Sequence, residues 1–215
     1  MSETGIGKAV RRKEDQRFVT GKGRYTDDIN RPGQTHAYFL RSPHAHAKIK
    51  SIDCTEANAA PGVVAIFTGA DVAKDGLGGL ICGWTVHSKD GTPMKQGAHP
   101  ILALDTVRYV GDHVAMVIAE TYLEAKSAAE LIDVDYDVLD AAPSVATAQA
   151  PDAPQVHAEA PNNTSFDWEL GNKAETEAAL KSVAHIITLD LTNNRLIPNA
   201  MEPRAAIGDF DSGTG

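Results

Sequence analysis

The stretch from Val107 to Leu139, VRYVGDHVAMVIAETYLEAKSAAELIDVDYDVL, constrains the fold of this chain more tightly than any other. Val107–Val110 and His113–Ala119 are two apolar, β-branched runs separated by Gly111 and Asp112, and that spacing and turn chemistry predict a tight β-hairpin. The second run reads as a well-buried strand. Thr121 followed three residues later by Glu124 matches a capping box, in which hydroxyl and carboxylate satisfy orphan amides of a first helical turn. A helix is therefore expected from here. Ala125, Ala128, Ala129 and Ile132 fall at i, i+3, i+4 and i+7, a narrow face of small residues that lets a helix lie close to a sheet. Its outer face carries Glu124, Lys126, Ser127 and Glu130. Near Ile132 the period changes from 3.6 to 2: Ile132, Val134, Tyr136 and Val138 alternate with Asp133, Asp135 and Asp137, which predicts a strand with one face in water. Hairpin, helix and strand need neighbours to cover their apolar face.

At 215 residues, 42% hydrophobic and 23% charged, the chain has room for one large or two small domains and falls in no disordered class. No apolar run approaches the roughly 20 residues of a membrane span. The N-terminus, MSETGIGKAVRRKED, lacks the apolar core of a secretory signal, so a cytoplasmic location is expected. Cys54 and Cys82 are the two cysteines, too few for a disulfide framework or a four-cysteine zinc or iron–sulfur site within this chain. Such a cluster would sit on a partner. The net charge of −9 is unevenly spread: residues 1–50 hold 11 Lys and Arg against 5 Asp and Glu, and the remainder 9 against 24. This basic arm lacks interleaved aromatics and any recognised nucleic-acid motif. Docking onto an acidic surface of its own assembly is the expectation, with no nucleic acid.

Gly21 and Gly23 fit neither GxGxxG nor GxxxxGK[ST], nor does GIGKAV at 5–10, so these glycines are assigned to turns. His36–Leu40 and Ala45–Ile52 read as strands joined at Arg41-Ser42-Pro43. His44 and His46 form an HxH pair that chelates metals in other settings, with His36 as a third imidazole, but Lys48 and Lys50 on the same face would repel a cation. A solvated or interface-facing strand face is expected, and no metal site. Thr55–Ala60 predicts a short helix ended by Pro61-Gly62, and Val63–Thr68 a compact strand. Residues 69–100 hold six glycines between 76 and 97, Trp84, His87 and His99, without a sustained period; a loop this long is functional or interfacial. Order resumes at Ile101–Leu104. Asp140–Asn163, rich in Ala, Pro and Gln, reads as a linker and marks a domain boundary. Beyond it a helix is predicted around Glu175–Lys181, with strands at His185–Leu191 and Ala205–Phe210. The final DSGTG has turn composition with no return strand, which leaves the last strand an unpaired edge and predicts an incomplete second domain.

Asp112 and His113 are adjacent, so on a strand they point to opposite faces, and no serine elbow accompanies them; they are assigned to a structural turn. The richest polar cluster is Asn193, Asn194, Arg195, Asn199, Glu202 and Arg204 around Leu196, Ile197, Pro198 and Met201. Pro198 and Pro203 confine its backbone, which suits either a binding loop or an Arg–Glu staple. No residue is assigned a catalytic role.

VRYVGDHVAMVIAET with AAELIDVDYDVL, preceded by RFVTGKGRYTDDI and FLRSPHAHAKIKSID and followed by NNRLIPNAMEPRAAIGDFD, resembles the amino-terminal part of the molybdenum-binding large subunit of the xanthine dehydrogenase and aldehyde oxidase family. The resemblance runs in order from about Val10 to the end and is strongest to the aerobic carbon monoxide dehydrogenase branch. It implies an α+β fold: an N-terminal arm (1–17), an α/β-hammerhead domain (18–140), a linker (141–163) and the incomplete start of the first molybdopterin-binding domain (164–215). It implies molybdenum held by molybdopterin cytosine dinucleotide or a related form, water as the source of inserted oxygen, and electron transfer to 2Fe-2S clusters on a small subunit and FAD on a medium subunit. The assembly implied is a dimer of heterotrimers, and the substrate carbon monoxide, an aldehyde or an N-heterocycle. The family's catalytic glutamate and glycine-rich cofactor loops have no counterpart in these residues, so a scaffold role without turnover is expected. The PNAMEPR segment, with Asn199, Met201, Glu202 and Arg204, is the part expected near the cofactor. The alternative is a stand-alone hammerhead module that binds a partner without catalysis.

Overall fold

The computed structural model describes Gly7, residues 9–194 and residues 196–214. By backbone contacts the chain forms two compact units, one of Thr35–Ile186 and one of Met1–Gln34 with Ile187–Gly215.

In the larger unit the chain runs β1 (His36–Arg41), β2 (Ala47–Asp53), α1 (Thr55–Asn58), β3 (Val63–Thr68), α2 (Gly69–Lys74), β4 (Thr106–Val107), β5 (His113–Ala119), α3 (Tyr122–Ala129), β6 (Asp133–Val138), α4 (Val145–Ala148) and α5 (Lys173–Ser182). Two antiparallel three-stranded sheets result, ordered β1-β5-β3 and β4-β2-β6. The first is built around β5, whose Val117 lies between Tyr38 of β1 and Ile66 of β3. Ala115, Val117 and Ala119 face α3, which buries Ala125, Ala128 and Ala129 against them, with Ile132 just beyond its end. The small-residue spacing thus becomes a close helix-on-strand contact, as the sequence predicts. Thr121 caps α3 by accepting from the Glu124 amide (3.2 Å), while its hydroxyl donates to the Glu124 carboxylate (2.8 Å).

The second core holds Ala47, Ala103, Val107 and Val114. Ile52 and Val134 pack against both clusters and join them. On the outer face of β6 the aspartates alternate as expected; Asp137 is opposite Lys48 in the ladder, and Lys50 reaches Asp135 at 3.4 Å.

The predicted hairpin does not form. Both edges of β5 are occupied by β1 and β3, so the run from Val107 has no edge to pair with there. Val107 instead pairs with Ala47 of β2 and is buried in the second core, while Tyr109 and Val110 lie at the surface. Gly111 and Asp112 still make a turn: Gly111 adopts φ +93°, the Asp112 amide donates to the Tyr109 carbonyl (3.1 Å), and its carboxylate accepts from the Arg108 amide (3.0 Å). The turn passes the chain from one sheet to the other. Ser42, buried, holds the junction by exchanging backbone hydrogen bonds with Gly111 and Asp112, both 2.8 Å.

Three further differences stand out. The 69–100 segment, read as loop, opens with α2, where the Asp71 carboxylate accepts from both the amide and the hydroxyl of Thr68 (2.8 Å each). The tract read as a linker is folded, carrying α4 and a 3-10 turn at Pro161–Asn163, and buries Ala160. The strands predicted at His185–Leu191 and Ala205–Phe210 are not formed among the described residues. Ile187, Leu189 and Leu191 are 93%, 73% and 82% exposed, so this alternating segment has no ladder partner to make it a strand. The helix predicted around Glu175–Lys181 is present as α5, capped by Asn172. In the smaller unit a short helix spans Asp15–Val19, followed by a 3-10 turn at Thr26–Asp28, and Arg31 approaches Asp209 at 3.8 Å. No helix among the described residues is long and apolar enough to cross a membrane.

Val117 fills the fully buried centre of β5, so Val117→Ala is expected to cost about 2 kcal/mol through lost burial and a residual cavity. Chemical denaturation would measure it, and a near-neutral result would mean that the first core does not depend on β5. Thr121→Ala removes the α3 cap and is expected to cost about 1 kcal/mol in the same melts.

Candidate functional site

A concave feature of the larger unit lies between the 77–100 loop and the 142–165 tract. Backbone geometry builds it from both sides. Within the loop, residues 86–94 fold back on themselves: Met94 donates to the Val86 carbonyl (3.0 Å), Ser88 to that of Thr92 (2.8 Å), and Asp90 accepts from the amide and hydroxyl of Thr92 (2.9 and 2.7 Å). These bonds to its carboxylate hold the Asp90 carboxyl below the usual carboxylate range. The folded loop is then tied to the later tract. Lys89 and Lys95 amides donate to the carbonyls of Asp167 (2.7 Å) and Ser165 (2.9 Å), the Ser165 hydroxyl donates to the Lys95 carbonyl (2.6 Å), and Lys89 pairs with Asp167 at 2.6 Å.

On the opposite wall Asn163 is the organiser. Its amide nitrogen donates to the carbonyls of Ala148 (3.1 Å) and Pro154 (3.0 Å), and its oxygen accepts from the Val156 amide (2.9 Å). Arg108 extends from the far end of β4 to donate through Nε to the Val156 carbonyl (3.2 Å), which clips this wall to the sheet scaffold. Between the walls is a cavity of ≈ 520 Å³, within the usual range of small-molecule sites. Leu80, Ile81, Met94 and Val156 supply apolar surface; Lys95, His99 and His157 supply the cationic and imidazole groups. The His157 ring lies directly against Gly97, where a Cβ would collide with Nδ1. Burial lowers the His157 pKa below the ordinary imidazole value, with the nearby Arg108 charge acting in the same direction and Glu159 opposing it.

The residues singled out from sequence are placed differently. Asn199, Met201, Glu202 and Arg204 all lie in the smaller unit and are exposed, Met201 completely, with Asn199 in the left-handed region at φ +43°. Arg195 lies outside the described residues. His44 and His46 do not converge on a common point: His46 is buried with Nδ1–H donating to the Asp140 carbonyl (2.9 Å), and His44 packs edge-on against Tyr136 with centroids 4.9 Å apart. His36 belongs to the other sheet. Among the described residues no three His, Cys, Asp or Glu side chains converge to hold a metal ion. Asp112 serves its turn, and His113 packs on Phe39 at 4.8 Å, its pKa lowered by burial and then by Arg41. The cavity-lining His157 and Lys95 were not singled out in the sequence. A signal exists only in the prolines at 151, 154 and 161, which bracket Val156-His157 and mark the tract as shaped rather than loose.

Residues 20–140 match the family model described as "Aldehyde oxidase and xanthine dehydrogenase, a/b hammerhead domain". The nicotine 6-hydroxylase large subunit of Paenarthrobacter nicotinovorans is 33% identical over 96% of this chain and 24% of its own length. The carbon monoxide dehydrogenase large chain of Afipia carboxidovorans is 34% identical over 96% of this chain and 26% of its own. Among solved structures, reconstituted CO dehydrogenase from Oligotropha carboxidovorans superposes with a TM-score of 0.68 at 33% identity, covering 84% of this chain and 23% of that one. Quinoline 2-oxidoreductase from Pseudomonas putida 86 gives a TM-score of 0.57 at 41% identity, over 66% and 17%. The chain spans about a quarter of the length of the curated relatives it matches.

Because the folded pKa of His157 is lowered, the unfolded chain binds its proton more readily, so acidification from neutral pH towards pH 5 is expected to cost stability. The loss begins as pH falls through the unfolded imidazole value and is complete below the folded one. His157→Gln should flatten that part of a melting-temperature profile, and an unchanged slope would remove His157 as its source.

Proposed function

The chain belongs to the aldehyde oxidase and xanthine dehydrogenase family, and on that premise we propose that it is the N-terminal scaffold portion of a molybdenum hydroxylase large subunit. The observation that carries this reading is the extent of the similarity: a hammerhead match over residues 20–140 and alignment of 96% of the chain to two large subunits of such enzymes. In the intact enzyme the substrate would be carbon monoxide, an aldehyde or an N-heterocycle, with oxygen taken from water. Residues 18–140 would be the hammerhead, 141–163 its connection, and 164–215 the opening of the first molybdopterin-binding domain. The remainder of the large subunit, an FAD-binding medium subunit and a 2Fe-2S small subunit would be the partners, in a dimer of heterotrimers located in the cytoplasm.

Molybdenum bound by molybdopterin cytosine dinucleotide supplies oxidation with water-derived oxygen when present. The residues proposed to lie near it fit that group poorly on their own. Asn199 and Arg204 offer N–H donors suited to a pterin edge or a phosphate, but Glu202 brings a like charge, and all four side chains are exposed and form no wall. They are proposed as one edge of a site whose other walls belong to other segments, and no reaction step is assigned to them. The 215 residues alone are proposed to be inactive.

The competing reading, a stand-alone binding module, draws on one observation: the buried members of both hydrophobic cores lie within residues 47–132, and the partly buried hydrophobic residues packed against them lie within residues 38–136. Reading the coding frame past codon 215 separates the two. An open frame, stoichiometric molybdenum and turnover of one of the three substrate classes in the intact protein are the expected results. A stop codon together with a molybdenum-free, inactive native protein would overturn the enzyme reading.

A further inference from the structure

The ring of His157 seats on the backbone of Gly97, where a Cβ would collide with Nδ1, Cε1 and Cγ. Gly97 is not among the glycines with positive φ, so this close approach is what requires glycine there. The contact joins two irregular segments, the 77–100 loop and the 142–165 tract, at the cavity they line together. Charged and titratable groups face the imidazole from each element packed around it. Arg108 and the buried His46 come from the sheet scaffold, His99 from the loop, where Lys95 lines the same cavity, and Glu159 from the tract itself. A proton on half-buried His157 therefore places a charge beside the Arg108 guanidinium, and Glu159 is the carboxylate set against that repulsion.

Relief of that charge has a local route. The buried members of both hydrophobic cores lie within residues 47–132, outside the tract. The stretch around His157 is held to the scaffold by the Arg108 bond to the Val156 carbonyl (3.2 Å). It is folded on itself by the Val156 amide donating to Asn163 (2.9 Å) and the Ala160 amide to the His157 carbonyl (3.1 Å). A His157 that leaves Gly97 carries Val156 away from Arg108 without uncovering either core, and an opening of that kind costs less than global unfolding. The Lys89 and Lys95 amides, bonded to the carbonyls of Asp167 and Ser165, involve no imidazole and keep the loop attached. We propose that His157 is an acid-sensitive latch on this cavity: neutral, its ring seats on Gly97 and keeps residues 154–163 closed; protonated, it leaves Gly97 and that stretch opens while both cores stay folded. Opening is favoured as pH falls through the ordinary imidazole value of the open state and saturates below the value of the closed one. The latch does not rest on the molybdenum reading.

Hydrogen exchange of the full protein, read by mass spectrometry and corrected for the intrinsic effect of pH, tests it. Going from about pH 7.5 to about pH 5.5 is expected to speed exchange of a peptide covering 154–163 about fivefold to tenfold, because an imidazole of ordinary value is about nine-tenths protonated at the lower pH once the stretch is open. That peptide should exchange well ahead of the β5 peptide holding Ala115–Ala119 at both pH values. His157→Gln, which cannot be charged, should remove most of the acceleration. His157→Lys, charged throughout, should exchange at the higher pH about as fast as the unaltered protein does at the lower. The proposal is overturned by equal corrected exchange of 154–163 at the two pH values, by an acceleration that His157→Gln leaves unchanged, or by exchange of 154–163 no faster than that of β5, which would make the opening global. Full protection in His157→Lys at both pH values would overturn it as well. Should His157→Lys lose the protection of β5, the His157→Gln result decides.

Discussion

Contact between an alanine face and a central strand is the interaction on which the larger unit rests. Ala125, Ala128 and Ala129 of α3 meet Ala115, Val117 and Ala119 of β5, all buried. Small side chains on both surfaces bring helix and sheet backbones close, and a larger residue at any of these positions would push the layers apart. That approach places Ile132 at the helix end against the same core and starts β6 at Asp133, where its alternate residues reach β2. Ile52 and Val134 then carry the packing into the second core, so the two sheets share one continuous interior.

The second consequence is topological. A strand buried at the centre of a sheet has both edges committed, and β5 spends its edges on β1 and β3. The residues just before it must therefore pair elsewhere, and β4 does so with β2. The Gly111-Asp112 turn becomes a crossing between sheets, fixed by Ser42 and by the Asp112 carboxylate. Arg108, at the exit of β4, extends this scaffold outward by holding the Val156 carbonyl. One side chain thus links the hammerhead to the wall of the candidate cavity.

The polar side chains described in this unit serve caps, turns and wall-to-wall ties, as at Thr121, Asp112 and Asn163, in a chain that spans about a quarter of the length of the relatives it matches. The alternating apolar segment around Ile187–Leu191 is strand-like in sequence but exposed. A strand requires a partner as well as a pattern, and the pattern alone leaves the ladder unmade.

Local chemistry in the sequence was enough to determine the α3 cap at Thr121, the buried alanine face, the alternation of β6, and the strands β1, β2, β3 and β5, because each depends on neighbours within a few residues. The family followed from the order of those elements and their motifs. Tertiary structure alone decided which edges pair, turning the expected hairpin into a crossing, because edge occupancy depends on strands far apart in sequence, such as His36 with Ala119, Thr68 with Ala115 and Ala47 with Val107. It alone folded the 141–163 tract into a wall, through Asn163 and Arg108. It alone gathered Lys95, His99 and His157, which are separated in sequence and carry no spacing signature. Their relation exists only once two irregular segments are hydrogen-bonded side by side. The stretch from Val107 to Leu139 accordingly fixed its own elements, and the pairing that gives them a fold came from the rest of the chain.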